Sequence, residues 1–197
     1  MSTIEEFKAA QIKTFTGKIV SPLAMSLEDI HPRDIIHALK NKCRFTGHTK
    51  SFYSVGSHSC VVFLILKEIL KDDSSHLTMK RLRQALLHDC DEAYLPDIAS
   101  PLKKLDEFAF LRAAGKNIFS LVMQYHNLPL EEDPLVKKAD NLALFFEKKI
   151  FMNGPSLNET ELIQTFNLEK DFPFEKIFKD VKEKPDLESY YLAFIGP

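Results

Sequence analysis

The sequence predicts an all-α fold in a single domain. Three observations carry that expectation. Apolar residues recur at helical spacing in the long segments after residue 26, and the punctuation between them is that of helix ends, with Ser, Asp and Pro in front and Gly or Pro behind. A chain of 197 residues with 45% hydrophobic composition and sixteen Phe is also long and apolar enough to bury one substantial core.

Taken in order, residues 1–25 carry turn signals at Gly17 and at Ser21-Pro22, and KTFTGKIVSPLA reads as a short strand or an extended arm. From Ser26 the pattern turns helical. Ser26 with Asp29 resembles a capping box, Pro32 suits a first helical turn, and Ile35, Ile36 and Leu39 form a stripe, so a helix is expected to about Cys43. The polar, Gly-containing stretch RFTGHTKSFYSVGSHS passes into a long apolar helix over residues 53–71. On it His58 shares a face with Val62, Ile65 and Ile69. A lone His on such a face is ordinarily a satisfied core histidine. Residues 71–80 are a charged, Ser-rich connection in which His76 is solvated and Thr78 is placed to cap the next helix. Residues 104–126 form another long helix with Phe108, Leu111, Ile118, Phe119 and Val122 facing the core, and LPLEEDP is a loop. Asp133 as N-cap and Pro134 at the first position open a helix whose apolar stripe is Leu135, Ala139, Leu142, Phe146 and Ile150. Gly154-Pro155 closes it, Ser156 with Glu159 resembles a capping box, and Pro185 precedes a short final helix, DLESYYLAF.

Composition excludes several function classes. Net charge is −2, from 26 Lys+Arg and 28 Asp+Glu well mixed along the chain, so neither a nucleic-acid-coating surface nor a membrane-attracted patch is expected. Cys43, Cys60 and Cys90 are odd in number and lack a Cys-x-x-Cys pair, which points to reduced thiols and does not support a zinc finger. The longest apolar run, residues 60–66, is far short of a membrane span, and the acidic N-terminus lacks a signal-peptide core, so a cytoplasmic protein is expected.

The chain is organised around residues 86–103, LLHDCDEAYLPDIASPLK. The apolar approach RLRQALL brings His88 and Asp89 to the inner end of a half-buried helix, where each needs a hydrogen-bond partner, an opposite charge or a cation. Glu92 follows four residues later, on the same face if the helix continues, and Asp97 comes after Pro96, where it has ended. Asp140 falls at the edge of its helix's apolar stripe beside Val136, Ala143 and Glu147 and should be partly buried; an ion pair with Lys137, Lys138 or an Arg is the plain alternative. Packing leaves four residues on three helices unexplained: His58, the pair His88 and Asp89, and Asp140. Two imidazoles and two carboxylates suit a borderline divalent transition metal such as Mn²⁺, Co²⁺, Fe²⁺, Ni²⁺ or Zn²⁺, with open positions for water and substrate oxygen.

At this point the chain resembles the HD-domain metal-dependent phosphohydrolases, whose pattern is a His, then a His-Asp pair, then a distant Asp. RFTGHTKSFYSVGSHS followed by HDCDEAYLPDIASPLK looks like the compact HD hydrolases acting on deoxynucleotides, which include bacterial 5′-deoxynucleotidases and the dATP triphosphohydrolases some phages encode. The resemblance spans residues 30–150. It implies a helical HD core over 30–150 with the metal site between helices; the flanking residues lie outside it, 1–29 being expected as an N-terminal arm and 151–197 as a C-terminal helical extension packed on the core. It also implies that His58, His88, Asp89 and Asp140 hold the metal, that Glu92 positions or deprotonates the attacking water, that Arg44 binds phosphate, and that Asp97 serves catalysis or the water network. Lys103 is either a further point charge for phosphate or a solvated surface residue. His48, Tyr94 and Phe45 are candidates for the base or sugar pocket, with core packing the stronger alternative for Phe45.

Three functions compete on this reading. A dNTP triphosphohydrolase of purine, dATP type would release deoxynucleoside and intact triphosphate. A 5′-deoxynucleotidase would cleave a dNMP to deoxynucleoside and phosphate, and a non-catalytic HD module would only bind nucleotide. The RFTGHT and FYSVGSHS wording favours the first, with an additional Mg²⁺ able to accompany the nucleotide. The implied partner is a small-molecule deoxynucleotide rather than a nucleic-acid polymer or a membrane. The implied assembly is a homo-oligomer in the cytoplasm, the host's if the protein is phage-encoded.

Overall fold

The helical spacing is realised in the computed structural model as ten α-helices and a single two-stranded hairpin among the described residues, which are 4–154 and 157–196. The chain begins with α1 (Ile4–Ala9) and the antiparallel strands β1 (Ile12–Lys13) and β2 (Ile19–Val20), in which Ile12 faces Val20. Of the two alternatives for this segment, the strand is the one formed. Thr16 pins the hairpin tip to the body, its amide and hydroxyl donating to the buried Asp34 carboxylate at 2.7 and 2.9 Å.

The body consists of α2 (Pro32–Asn41), α3 (Val55–Ile69), α4 (His76–Leu87), the single turn α5 (Ser100–Lys103), α6 (Ala109–Tyr125) and α7 (Pro134–Phe151). Three shorter helices follow, α8 (Glu159–Phe166), α9 (Phe174–Glu183) and α10 (Leu187–Phe194). The centre of the fold is α3. It touches α2, α4, α7, α9 and α10, and ten of its fifteen residues are buried, as expected of a helix apolar nearly all round. Each fully buried aliphatic side chain there, such as Val62, Ile65 or Leu66, contributes about 1.5–3 kcal/mol, so Leu66→Ala would cost about 2–5 kcal/mol.

Where the elements differ from expectation, local stereochemistry gives the reason. Residues 26–43 are not one helix. The Ser26–Asp29 capping box is present, but it closes only a 3-10 turn, Leu27–Asp29, and α2 starts afresh at Pro32. Proline holds the residue before it extended, and His31 sits at φ −138, ψ 113. Ser75, not Thr78, is the N-cap of α4, because the Ser75 amide is held by Asp73 Oδ1 at 2.9 Å in extended geometry; His76 is therefore helical, though exposed as expected. α6 is preceded by a 3-10 turn, Asp106–Phe108, and Phe108 is its N-cap, outside the core cluster that takes in Leu111, Ile118, Phe119 and Val122.

The helix expected over residues 53–71 begins at Val55, with Ser54 accepting from the Ser57 amide at 3.0 Å. Asp133 and Pro134 open α7 as expected, Asp133 accepting from the Leu135 amide at 2.8 Å. The expected cap at Ser156 lies outside the described residues; Asn158 with Glu161 forms the capping box of α8 instead. Asp186 caps α10 one residue after Pro185. All three cysteines are free, and no helix among the described residues is long and apolar enough to cross a membrane.

Candidate metal centre

Three segments deliver the site. α3 presents His58 one turn from its N-terminus, His88 caps the C-terminus of α4, and α7 presents Asp140. The buried side of α7 is wider than the apolar stripe suggested. Val136, Ala143 and Glu147, the neighbours of Asp140 on that side, are all fully buried, so the Asp140 face points at the core and its side chain is 18% exposed.

The local break after His88 makes the site possible. Consecutive residues on an α-helix point about 100° apart and cannot meet. α4 stops at Leu87, Asp89 adopts φ −101, ψ 25, and the chain continues as a 3-10 turn, Cys90–Ala93. That turn swings the Asp89 carboxylate back onto its neighbour, with Oδ2 3.2 Å from His88 Nε2. Glu92 is consequently not one α-turn beyond His88, as a continuous helix would place it; the 3-10 turn, packed against α2 and α6, buries it.

Four atoms then converge. His58 Nε2 lies 3.1 Å from His88 Nε2, 3.2 Å from Asp140 Oδ1 and 3.5 Å from Asp89 Oδ2, while His88 Nε2 is 3.9 Å from Asp140 Oδ1. His58, His88 and Asp89 have ligand atoms within 4.8 Å of one another. Atoms sharing one cation at about 2.1 Å stand roughly 3.0–3.4 Å apart, and the atoms of His58, His88 and Asp89, 3.1 to 3.5 Å from one another, come near that spacing, with Asp140 Oδ1 standing farther from His88.

The proton positions agree with that spacing. His88 Nδ1 is 2.9 Å from the Ala85 carbonyl oxygen and His58 Nδ1 is 2.5 Å from Glu147 Oε1. Both oxygens only accept, so each ring donates through Nδ1 and a neutral ring turns its Nε2 lone pair inward. Two lone pairs 3.1 Å apart beside two carboxylate oxygens repel unless a positive species lies among them. The donor set therefore fits a divalent metal.

In the metal-free protein a proton on His88 takes the place of that cation. Burial alone would make His88 less basic, but Asp89 and Asp140 outweigh it and raise its pKa to about 9. Burial would likewise raise Asp89 and Asp140. The imidazoles, together with Arg44 at Asp89 and Lys137 at Asp140, instead hold both carboxyls well below the usual range. Glu92 behaves oppositely. Burial first, then Asp89, Asp97 and Asp91, push it up to about 8, and its Oε2 is buried without a hydrogen-bond partner.

The remaining expected residues are distributed unequally. Arg44 is at the site, but its guanidinium is already engaged, Nη1 3.4 Å from Asp89 Oδ2 and Nη2 3.3 Å from Glu147 Oε2, with the side chain 15% exposed. The Phe45 ring lies 5.3 Å from the Arg44 guanidinium carbon, in a turn where Phe45, Thr46 and Gly47 all have positive φ. His48 is exposed and Tyr94 is buried. Asp97 is half-buried in the coil after Pro96. Lys103 Nζ is 3.8 Å from Asp91 Oδ2 rather than turned to the metal cluster. Asp140 also makes the ion pair considered for it, Oδ2 to Lys137 Nζ at 2.7 Å, and uses its other oxygen for His58.

Sequence reasoning missed three supports of the site. Glu147 is fully buried and accepts from Tyr53, His58 and Arg44; the available signal was a second carboxylate seven residues after Asp140 on the same core-facing side. Lys42 donates to the Glu92 and Leu95 carbonyls and so closes the open end of the 90–93 turn. Gly115 on α6 lets that turn approach, since a Cβ there would lie 2.7 Å from Asp91 Oδ2.

No protein-family model matches the chain. It is 32% identical over 138 residues to the uncharacterized protein YfdR of Escherichia coli (strain K12), and the alignment covers 70% of each sequence. Identity at that level over more than two thirds of both chains places them together: the chain belongs to the family of YfdR.

Proposed function

We propose that the protein is a metal-dependent phosphohydrolase of HD type acting on deoxynucleotides, specifically a dNTP triphosphohydrolase of purine, dATP type that releases deoxynucleoside and intact triphosphate. The observation that carries the proposal is the convergence of His58 Nε2, His88 Nε2, Asp89 Oδ2 and Asp140 Oδ1 in one partly open cluster. Those four residues would hold Mn²⁺, Co²⁺, Zn²⁺, Fe²⁺ or Ni²⁺. When bound, such a cation supplies charge neutralisation at the phosphoryl oxygens and acidifies a coordinated water.

The chain's own residues do the rest. Glu92 presents a buried, unpartnered carboxyl oxygen, suited to accept a water proton, and although burial is the main cause that raises its pKa, a cation held by Asp89 would relieve the repulsion that adds to it. Asp97 shares the field of Glu92 and would order the same water network. Arg44, held on Asp89 with its side chain 15% exposed, would turn its charge to a phosphate oxygen. Enclosure strengthens each of these interactions relative to bulk water.

The test is mass-spectrometric product analysis after loading metal-free protein with Mn²⁺ or Co²⁺ and supplying dNMPs, dNDPs, dNTPs and the matching ribonucleotides. Deoxynucleoside with tripolyphosphate from dATP is the expected result. Orthophosphate from dNMPs alone would replace the triphosphohydrolase by a 5′-deoxynucleotidase, and no turnover with any metal would overturn the enzymatic reading.

A further inference from the structure

Glu147 is an acidic residue with no solvent exposure on a helix face that it shares with Asp140 and that is otherwise apolar. Burying a carboxylate costs several kcal/mol unless donors surround it. Three do, and they come from separate parts of the chain. The Tyr53 hydroxyl donates to Oε1 at 3.0 Å, His58 Nδ1 lies 2.5 Å from the same oxygen, and Arg44 Nη2 is 3.3 Å from Oε2.

The placement along α7 is specific. Asp140 and Glu147 are seven residues apart, two turns or about 10.5 Å of helix rise, and they stand on the same side. Between them they bracket one imidazole, Asp140 Oδ1 at 3.2 Å from Nε2 and Glu147 Oε1 at 2.5 Å from Nδ1. A ring held at both nitrogens has one orientation, and a cation on Nε2 would leave its proton on Nδ1, facing Glu147. Arg44 extends the same clamp, because its other nitrogen reaches Asp89.

We infer that Glu147 is the positioning residue of the metal centre: it holds His58 as the Nδ1–H tautomer with Nε2 facing the cation, and through Arg44 it steadies Asp89, so that its charge tightens divalent-metal binding. This inference rests on the cluster being a metal site. A carboxylate hydrogen-bonded to the far nitrogen of a ligating imidazole fixes the ring and raises its basicity, and losing such a partner typically weakens metal binding 10–100-fold. Glutamine at 147 would keep the shape and one accepting oxygen. It would remove the charge and turn an amide N–H₂ toward the Arg44 guanidinium.

The experiment is titration of Zn²⁺ and Mn²⁺ into metal-free wild-type, Glu147→Gln and Tyr53→Phe proteins, followed by calorimetry or chelator competition, with thermal melts of the metal-free proteins in parallel. Glu147→Gln should bind both ions about 10–100-fold more weakly. Tyr53→Phe, which keeps the carboxylate and its bond to His58, should bind nearly as tightly as wild type. A Glu147→Gln protein that melts lower yet binds metal with wild-type affinity would reduce Glu147 to a structural part and overturn the inference. Wild-type protein that binds neither ion would overturn the metal centre itself. Should Glu147→Gln fail to fold, long-range ¹H–¹⁵N NMR of the Zn²⁺-loaded wild type decides: His58 coordinated through Nε2 with a protonated Nδ1 supports the assignment, and coordination through Nδ1 overturns it.

Discussion

His88 and His126 are both largely withdrawn from water, yet their basicities move in opposite directions. Around His126 burial acts first and Arg83 adds repulsion, so the pKa falls to about 4 and the ring sits neutral with Nε2 3.2 Å from the Tyr191 hydroxyl. Around His88, which is the more deeply buried of the two, Asp89 and Asp140 overrule burial and the pKa rises to about 9. Burial alone therefore does not set a histidine's basicity; the carboxylates that converge on it decide the sign. His126 is the ordinary core histidine that a lone His in an apolar setting leads one to expect, and His88 departs from it because two acidic side chains are aimed at one nitrogen.

The largest test of that difference is to remove a carboxylate from the His88 side. Asp140→Ala should abolish metal uptake by elemental analysis and lower turnover of the preferred nucleotide by about 10³-fold or more, several kcal/mol of transition-state stabilisation. Turnover within tenfold of wild type would remove Asp140 from the site. Glu92→Ala should lower kcat by about 10²–10⁴-fold while metal content and nucleotide binding survive; an unchanged kcat would take Glu92 out of the mechanism.

Stability offers a subtler probe. Metal at 100 times its Kd should stabilise the wild type by about 2.7 kcal/mol, roughly 5–10 °C in Tm for a chain of this size, and should leave His88→Ala unmoved. An equal upward shift in both proteins would place the stabilising ion elsewhere. Gly115→Ala forces a Cβ to within 2.7 Å of Asp91 Oδ2 and should cost about 1–3 kcal/mol by denaturant melts while loosening the 90–93 turn. A neutral effect would mean that Asp91 swings away freely.

The smallest effect belongs to His126. Its folded pKa of about 4 lies below the unfolded value near 6.5, so its contribution is fully present above pH 6.5 and is lost as pH falls toward 4. After discounting for solvent screening this is of order 1 kcal/mol. His126→Gln should flatten the loss of Tm between pH 7 and 5, and an unchanged slope would show that other groups carry it.

Much of this arrangement was legible in the sequence. Helical spacing with Asp133-Pro134 and the apolar run after Tyr53 located α7 and α3, because caps and periodicity are local properties. The polar residues that packing left unexplained, His58, His88, Asp89 and Asp140, are the ones whose ligand atoms converge. Where the expectation failed, the cause lay beyond local pattern. The four-residue spacing of His88 and Glu92 suggested a continuous helix, but packing of the 90–93 turn against α2 and α6 accompanies a 3-10 break that spacing does not encode. Arg44 was expected at phosphate, and no local pattern gives its ion-pair partner Glu147, which lies 103 residues away.

By itself the sequence determined the helices, the candidate ligands and the absence of a long apolar span, since each follows from residue type and short-range order. Only the tertiary structure decided that Asp89 turns back onto His88, that Lys42 ties down the turn bearing Glu92, and that Glu147 holds His58 from behind. The physical reason is that hydrogen bonds and ion pairs act over about 3–4 Å, and a chain's residues come within that distance across dozens of positions only after its helices have packed.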